Sequence, residues 1–163
     1  MSVGTEALVV VALLGSALVG GVFFAFSSFV MGALARLPAA QGIAAMQSIN
    51  VVVLNRSFLG VFIGTSILSL VVIGVAAFEW GSPAAPWYLA GALAYLVGTF
   101  IVTGVGNVPL NDRLAAVLAP DAEAIPVWEH YLERWTRLNT LRTGSAGAAA
   151  LMFLLGLLQN GAG

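Results

Sequence analysis

The chain has 163 residues, of which 60% are hydrophobic and 8% are charged, and its formal net charge is -1. A soluble domain carries roughly 25% charged residues, so this composition indicates a protein of the lipid bilayer. The near-neutral charge predicts no nucleic-acid partner, since such a partner requires a basic surface. The lack of cysteine excludes disulfides, thiolate metal ligands and cysteine nucleophiles.

Four apolar stretches are long enough to cross a bilayer, which takes about 20 helical residues. They cover residues 6–34, 57–78, 87–109 and 138–158. The first lacks the short apolar core and basic start of a signal peptide, so we expect it to be retained. We therefore predict an all-α fold, an integral membrane four-helix bundle that forms one transmembrane domain over residues 1–163.

Further helical segments are predicted at one end of this bundle. Residues 41–55 place apolar and amide side chains at helical spacing, which indicates a short interfacial helix running into the second span. Residues 112–118 are expected to extend the third helix up to a break at Pro120. From Pro126, which suits the first turn of a helix, the chain is predicted to continue into the fourth span as its cytoplasmic extension.

The arginines predict the orientation of the bundle. All six lie on loops or helix ends that emerge on one side: Arg36, Arg56, Arg113, Arg134, Arg137 and Arg142. The positive-inside rule assigns this side to the cytoplasm, with both termini and the turn at 79–86 outside. We expect the plasma (inner) membrane to be the location.

Small residues four positions apart predict close contact between helix backbones. Three such pairs occur: Ser16 and Gly20, Gly60 and Gly64, and Gly144 and Ala148. The pattern is typical of contacts within a bundle, and it leaves a homo-oligomer open.

Polar side chains gather near the arginine-bearing end, and a polar group at membrane depth indicates a functional site. On the third helix, Thr103, Asn107 and Asn111 are four residues apart and so form one stripe. Pro109 lies within this stripe. Because proline has no backbone N–H, we expect it to disturb the bonding to the Val105 carbonyl and to kink the helix.

The segment leading into the fourth span has two contrasting faces. One face carries two indoles, a phenol, an amide and a guanidinium, from Trp128, Tyr131, Trp135, Asn139 and Arg142. The opposite face is predicted to be solvated, and it carries Glu129, His130, Glu133, Arg134 and Arg137. The spacing of Glu133 and Arg137 predicts an ion pair.

Other helices add polar and aromatic groups at the same depth. Asn50, Asn55 and Arg56 lie around the start of the second span, with Gln47 one turn earlier. Phenylalanines of the first two spans are expected to form walls: Phe23, Phe24, Phe26, Phe29, Phe58 and Phe62. Together they predict an aromatic-walled cavity for a flat, apolar ligand with a few polar edges. Structural bonding between helices, and an interfacial aromatic belt, remain alternatives.

Several kinds of chemistry lack their residues. His130 is the only histidine, so neither a histidine pair for haem nor an iron site with two histidines and a carboxylate is available. We predict no metal ligands, although a haem with one axial ligand, or a metal, stays open. No serine has a histidine partner on the same helix face, and no soluble glycine-rich loop suggests a nucleotide site.

The chain resembles the anthrone oxygenase-like family of small integral membrane proteins, much of which is catalogued as of unknown function. The resemblance rests on GVFFAFS at 21–27, MQSIN at 46–50, GNVPLN at 106–111, and NTLR at 139–142 behind Trp128 and Trp135. It implies oxidation of an anthrone-like or phenol-like aromatic by molecular oxygen, the co-substrate, without a further cofactor.

The resemblance also suggests roles for the gathered residues. Stabilisation of an enolate oxygen is expected from Arg142, Asn107, Asn111, Asn139 and Arg56. Substrate contacts are expected from Trp128, Trp135, Tyr131, Asn50, Asn55, Phe26, Phe58 and Thr103. Asp112 and Tyr131 are the nearest candidates for a base. Two other functions stay open: a non-catalytic binder or carrier of a small apolar aromatic molecule, and an accessory subunit of a membrane complex.

Overall fold

The computed structural model describes residues 2–118 and 124–160, and all regular structure in this part of the chain is helical. Four helices are long and apolar enough to span a membrane: α1 (Val3–Leu34), α3 (Arg56–Phe78), α4 (Ala85–Ala115) and α5 (Ala124–Asn160). A shorter helix, α2 (Ala39–Val52), lies between α1 and α3. The predicted all-α bundle of four spans is confirmed. The predicted break at Pro120 lies outside the described residues.

The second predicted helix ends earlier than expected. It was predicted to run into the second span, but α2 ends at Val52 and α3 begins afresh at Arg56. Asn55 causes this separation, because its Oδ1 accepts a hydrogen bond from the Phe58 backbone N–H at 3.0 Å. A side-chain oxygen at this position satisfies an N–H that has no partner within the helix.

The third and fourth spans extend beyond their apolar stretches, as predicted. Helix α4 continues to Ala115, and α5 is unbroken from Ala124. With 37 residues, α5 is roughly 55 Å long, whereas the hydrocarbon core of a bilayer is about 30 Å thick. One end of α5 therefore projects beyond the membrane and carries the exposed ion pair Glu133–Arg137 at 3.8 Å, which confirms that prediction.

The four spanning helices form an antiparallel ring. Helix α1 packs against α3 and α5, and α4 packs against the same two helices from the other side. The two termini and the turn at 79–84 lie at one end, which we name the terminal half. The other end, the arginine half, holds α2, the end of α4 and the beginning of α5.

Glycine contacts bring the helices together in the terminal half, although only part of the predicted small-residue pattern contributes. A Cβ built at Gly20 would lie 3.3 Å from the Ala146 Cβ, so α1 and α5 approach closely there. The same test finds no neighbour within 4 Å at Gly60, Gly64 or Gly144. The prediction of tight packing is wrong at those three glycines, because Gly60 and Gly64 line an open groove between α1 and α3 and Gly144 is exposed.

Wider, π-helical turns occur on the two helices that carry the polar groups. They cover Phe26–Val30 in α1, and Leu96–Ile101 and Thr103–Asn107 in α4. The last of these turns ends two residues before Pro109, where the sequence predicted disturbed backbone bonding. Such turns are frequent at functional sites because they alter the regular pairing of backbone carbonyls.

Candidate functional site

A cavity of about 320 Å³ lies in the arginine half, and all five helices contribute to its walls. Most of the lining is apolar, including Phe23, Phe26, Phe58, Phe62, Met46 and Trp135. The polar lining comes from Asn50, Thr103, Asn107, Asn111, Asp112 and Arg142. The predicted stripe Thr103, Asn107 and Asn111 thus faces a single cavity together with Arg142 from the adjacent helix α5.

Arg142 is the most unusual group on this wall. Arg142 is 4% exposed, and its guanidinium forms no ion pair with a carboxylate of the described residues. Nη1 donates to the Thr103 hydroxyl at 3.1 Å and Nη2 donates to Asn139 Oδ1 at 2.7 Å. The Cζ atom lies 4.0 Å from the centre of the Phe23 ring, which stabilises the cation through its π face.

Asn139 holds this guanidinium from behind the cavity wall. It is fully buried, and its Nδ2 donates to the Phe23 carbonyl and to the Ser27 hydroxyl, both at 2.6 Å. The Phe23 carbonyl lies just before the π-helical turn of α1. Asn139 therefore links α1, α5 and Arg142, and it acts on the cavity by positioning Arg142.

Two buried polar atoms at the cavity have no hydrogen-bond partner among the described residues, namely Arg142 Nε and Asn107 Oδ1. The other end of the Asn107 amide is occupied, since Nδ2 donates to the Trp135 carbonyl at 3.3 Å. A buried polar group without a partner costs about 1–3 kcal/mol. Both atoms are buried, and both belong to residues that line the cavity.

Asn111 organises the aromatic side of the site. Its Oδ1 accepts hydrogen bonds from the Tyr131 hydroxyl at 2.8 Å and from Trp135 Nε1 at 2.9 Å. Asn50 adds a longer bond of 3.4 Å to the Tyr131 hydroxyl. These bonds fix the ring of Trp135, whose neighbour across the cavity edge is Phe26 at 5.6 Å between ring centres.

The aromatic residues of α5 form a stack that only partly reaches the cavity. Trp128 and Tyr131 are stacked at 5.8 Å, and Tyr131 and Trp135 at 6.0 Å. Trp135 lines the cavity, whereas Trp128 and Tyr131 are buried behind it. Gly42 of α2 permits this stack, because a Cβ there would lie 2.8 Å from Trp128 Cζ2.

Some residues chosen from the sequence lie elsewhere. Arg56 and Asn55 are exposed and do not line the cavity, because Asn55 caps α3 and Arg56 begins it. Phe24 and Phe29 are 61% and 63% exposed, so their rings face outward from the bundle. They do not line the cavity.

Other contributors were missed by the sequence analysis. Ser27 was not among the predicted site residues. The two hydroxyls of Ser27 and Ser28 inside an apolar span could have indicated it. Met46, Ile49, Val53 and Leu54 line the cavity as well. They were missed because the sequence does not distinguish an apolar residue that lines a cavity from an apolar residue that contacts lipid.

Metal-binding side chains do not gather into a site in the described part of the chain. In residues 2–118 and 124–160, no group of three histidine, aspartate or glutamate side chains lies close enough to hold a metal ion. His130 is exposed on the charged face of α5 and lies outside the cavity.

Fold and cavity together define a class: an integral membrane four-helix bundle with an aromatic-walled cavity and a buried arginine on the cavity wall. The model of the family described as anthrone oxygenase matches residues 55–152, which is more than half of the chain, and the chain belongs to this family. The matched range includes α3, α4 and most of α5, with Asn107, Asn139 and Arg142. No curated protein and no solved structure matches the chain.

Proposed function

We propose that this protein is a membrane oxygenase that oxidises a lipophilic anthrone-like or phenol-like compound with molecular oxygen, without a further cofactor. The observation that supports this most strongly is Arg142, a buried cation on the cavity wall that forms no ion pair with any carboxylate of the described residues. Such a cation stabilises negative charge that develops on a bound oxygen, and a water-poor site strengthens the interaction.

The shape and lining of the cavity suit an aromatic substrate. Its volume of about 320 Å³ lies at the lower end of the range for small-molecule sites. Phe26, Phe58 and Trp135 offer ring faces and edges for stacking. Leu54 and Val108 line the cavity and are 66% and 42% exposed. The cavity therefore opens on the flank of the bundle, where a membrane-dissolved compound arrives.

The reaction follows from the chemistry of an anthrone. Loss of a proton from its central methylene gives an enolate whose oxygen would accept a hydrogen bond from the Arg142 guanidinium. The electron-rich enolate reduces oxygen and forms a carbon–oxygen bond at the same carbon. Loss of water then leaves a second carbonyl, so one oxygen atom enters the quinone and the other leaves with the two methylene hydrogens. Asp112, on the cavity wall, is our candidate for the base.

Oxygen uptake in lipid nanodiscs tests this function. We expect the wild-type protein to consume one oxygen molecule for each anthrone and to form the quinone. Arg142→Ala should lower kcat/KM by about 100-fold or more, as does the loss of an oxyanion donor in other enzymes. Arg36→Ala serves as the control, because Arg36 is exposed and lies outside the cavity.

Two further measurements complete this test. Metal analysis and the visible spectrum of the active protein examine the absence of a cofactor directly, since a haem or a flavin would absorb visible light. Unchanged turnover in both Arg142→Ala and Asn107→Ala, in folded protein, would overturn the assignment of the site.

A second candidate function is binding or carriage of the same kind of compound without turnover. One observation favours this second function: the Asp112 side chain forms no hydrogen bond with any described residue. No described residue therefore holds the carboxylate in the orientation that a base requires. Tight binding of an anthrone analogue, combined with no oxygen uptake above the rate of the free compound, would identify a carrier.

We also infer that the arginine half faces the cytoplasm and that both termini lie outside, in the plasma membrane. Arg36, Arg56, Arg113 and Arg134 are exposed at this end of the bundle, which is the pattern of the positive-inside rule. Since the chain has no cysteine, Ser82→Cys creates a single thiol in the opposite turn. Labelling of intact cells by a membrane-impermeant reagent supports this orientation, whereas labelling only after lysis contradicts it.

A further inference from the structure

A second groove lies between α4 and α5 in the arginine half, on the side of α4 that faces away from the cavity. It encloses about 320 Å³ and is lined by Val105, Gly106, Pro109, Leu110, Arg113, His130, Arg134 and Leu138. None of these residues lines the cavity that holds Arg142. The groove is thus a separate site.

Two facing stripes give this groove its chemistry. On α4, Val105, Pro109 and Arg113 are each four residues apart and so share one face. On α5, the antiparallel partner, His130, Arg134 and Leu138 follow the same spacing. The charged ends of the two stripes therefore lie together at the outer rim, and the apolar ends lie together deeper in the bundle.

The rim carries two arginines that form no ion pair within the described part of the chain. Arg113, His130 and Arg134 are exposed, and neither arginine forms an ion pair with a described carboxylate. The neighbouring Glu133 is engaged with Arg137 instead. Two free guanidiniums and an imidazole supply the donors that a phosphate group requires.

The floor is apolar and belongs to a membrane-spanning segment. Val105 is 74% exposed and precedes Arg113 by eight residues on α4. It therefore lies roughly 12 Å deeper along the helix than Arg113. Gly106 lets Leu138 approach closely, since a Cβ there would lie 2.9 Å from Leu138 Cδ1. Pro109 exposes no backbone N–H to hydrocarbon. The side chains of this floor suit an acyl chain.

We propose that this groove binds one anionic phospholipid, with its phosphate on Arg113, His130 and Arg134 and the upper part of an acyl chain along Val105 and Leu138. The combination of cationic rim and apolar floor distinguishes the occupant from free phosphate, which would use only the rim. Basic pockets between transmembrane helices bind anionic headgroups in this manner. The inference stands independently of the catalytic activity.

Native mass spectrometry of the full-length protein in detergent tests the proposal, with phosphatidylglycerol and phosphatidylcholine as the two lipids. The wild-type protein should retain one phosphatidylglycerol in preference to phosphatidylcholine. The double variant Arg113→Gln/Arg134→Gln should weaken this binding by about fivefold for each arginine removed. The matched control is Arg36→Gln/Arg56→Gln, which changes the net charge equally at the same end of the bundle and should bind like the wild type.

Each other outcome counts against the proposal. Equal weakening in the control pair would show general attraction to the arginine half and overturn a specific site. Equal retention of the two lipids, or displacement of phosphatidylglycerol by inorganic phosphate at millimolar concentration, would overturn the lipid assignment. The four arginines that the two double variants replace are all exposed, so thermal unfolding of both variants should match that of the wild type.

Discussion

The terminal and arginine halves of the bundle treat buried polar side chains differently. In the terminal half, Ser16, Ser66 and Ser69 donate to carbonyls one turn earlier on their own helices. In the arginine half, Asn139 of α5 donates to the Phe23 carbonyl of α1, and Asn107 of α4 donates to the Trp135 carbonyl of α5. A serine satisfied within its helix places no demand on a neighbour. An asparagine satisfied across helices fixes their relative position, and such fixed positions are what a binding site requires.

The largest expected difference between the halves concerns Asn139. Replacement by leucine removes three hydrogen bonds, those to the Phe23 carbonyl, the Ser27 hydroxyl and the Arg142 guanidinium. We expect a loss of about 2–3 kcal/mol in the free energy of unfolding. Ser66→Ala, the counterpart in the terminal half, should change it by less than about 0.5 kcal/mol. Equilibrium unfolding in detergent compares the two, and equal losses would abolish the distinction.

Helix contact in the terminal half should be sensitive to a single methyl group. A Cβ at Gly91 would lie 2.8 Å from the Phe153 ring and 3.1 Å from the Ala149 carbonyl. Gly91→Ala should therefore separate α4 from α5 and cost about 2 kcal/mol. Gly144→Ala adds the same group where no atom lies within 4 Å, and alanine favours the helix. Thermal unfolding should show a lower midpoint for the first variant and an equal or higher one for the second.

A pair of tyrosine variants compares the hydroxyls of the two halves. The buried Tyr88 hydroxyl in the terminal half has no hydrogen-bond partner among the described residues. Tyr88→Phe should be neutral or stabilising, because it removes an unsatisfied polar atom. The Tyr131 hydroxyl bonds to Asn111 at 2.8 Å, so Tyr131→Phe should cost about 1 kcal/mol. The opposite order in unfolding measurements would contradict the assigned hydrogen bonds.

The smallest expected effect is spectroscopic. Of the tryptophans, Trp135 lines the cavity, whereas Trp80 is 61% exposed near the opposite end. An aromatic ligand should quench fluorescence in the wild type and in Trp80→Phe, and Trp135→Phe should lose most of this response. Ligand affinity should also fall several-fold in Trp135→Phe, since stacking contributes about 1 kcal/mol. Full quenching in that variant would place the ligand outside this cavity.

Much of the arginine half could be predicted from local patterns. The face of α5 that carries Trp128, Tyr131, Trp135, Asn139 and Arg142 is buried throughout, and the opposite face is exposed. Helical periodicity alone determines this division, because it depends only on residues within a few turns of one another. Arg56 and Asn55 were chosen by depth and not by periodicity, and both lie at exposed positions outside the cavity. A sequence predicts how deep a residue lies in the membrane. It does not predict which way a side chain at the start of a helix faces.

The sequence by itself determined that this is a membrane bundle of four spans with its polar groups gathered in one half. Those features follow from runs of about 20 apolar residues and from spacing within single helices. Only the tertiary structure shows that Asn139 bonds to the Phe23 carbonyl. Within the described residues, it also shows that Arg142 forms no ion pair and that Arg142 Nε and Asn107 Oδ1 have no hydrogen-bond partner. Each of these depends on how separate helices are rotated and shifted against one another. Packing across the whole bundle sets those positions, and no local stretch of sequence encodes them.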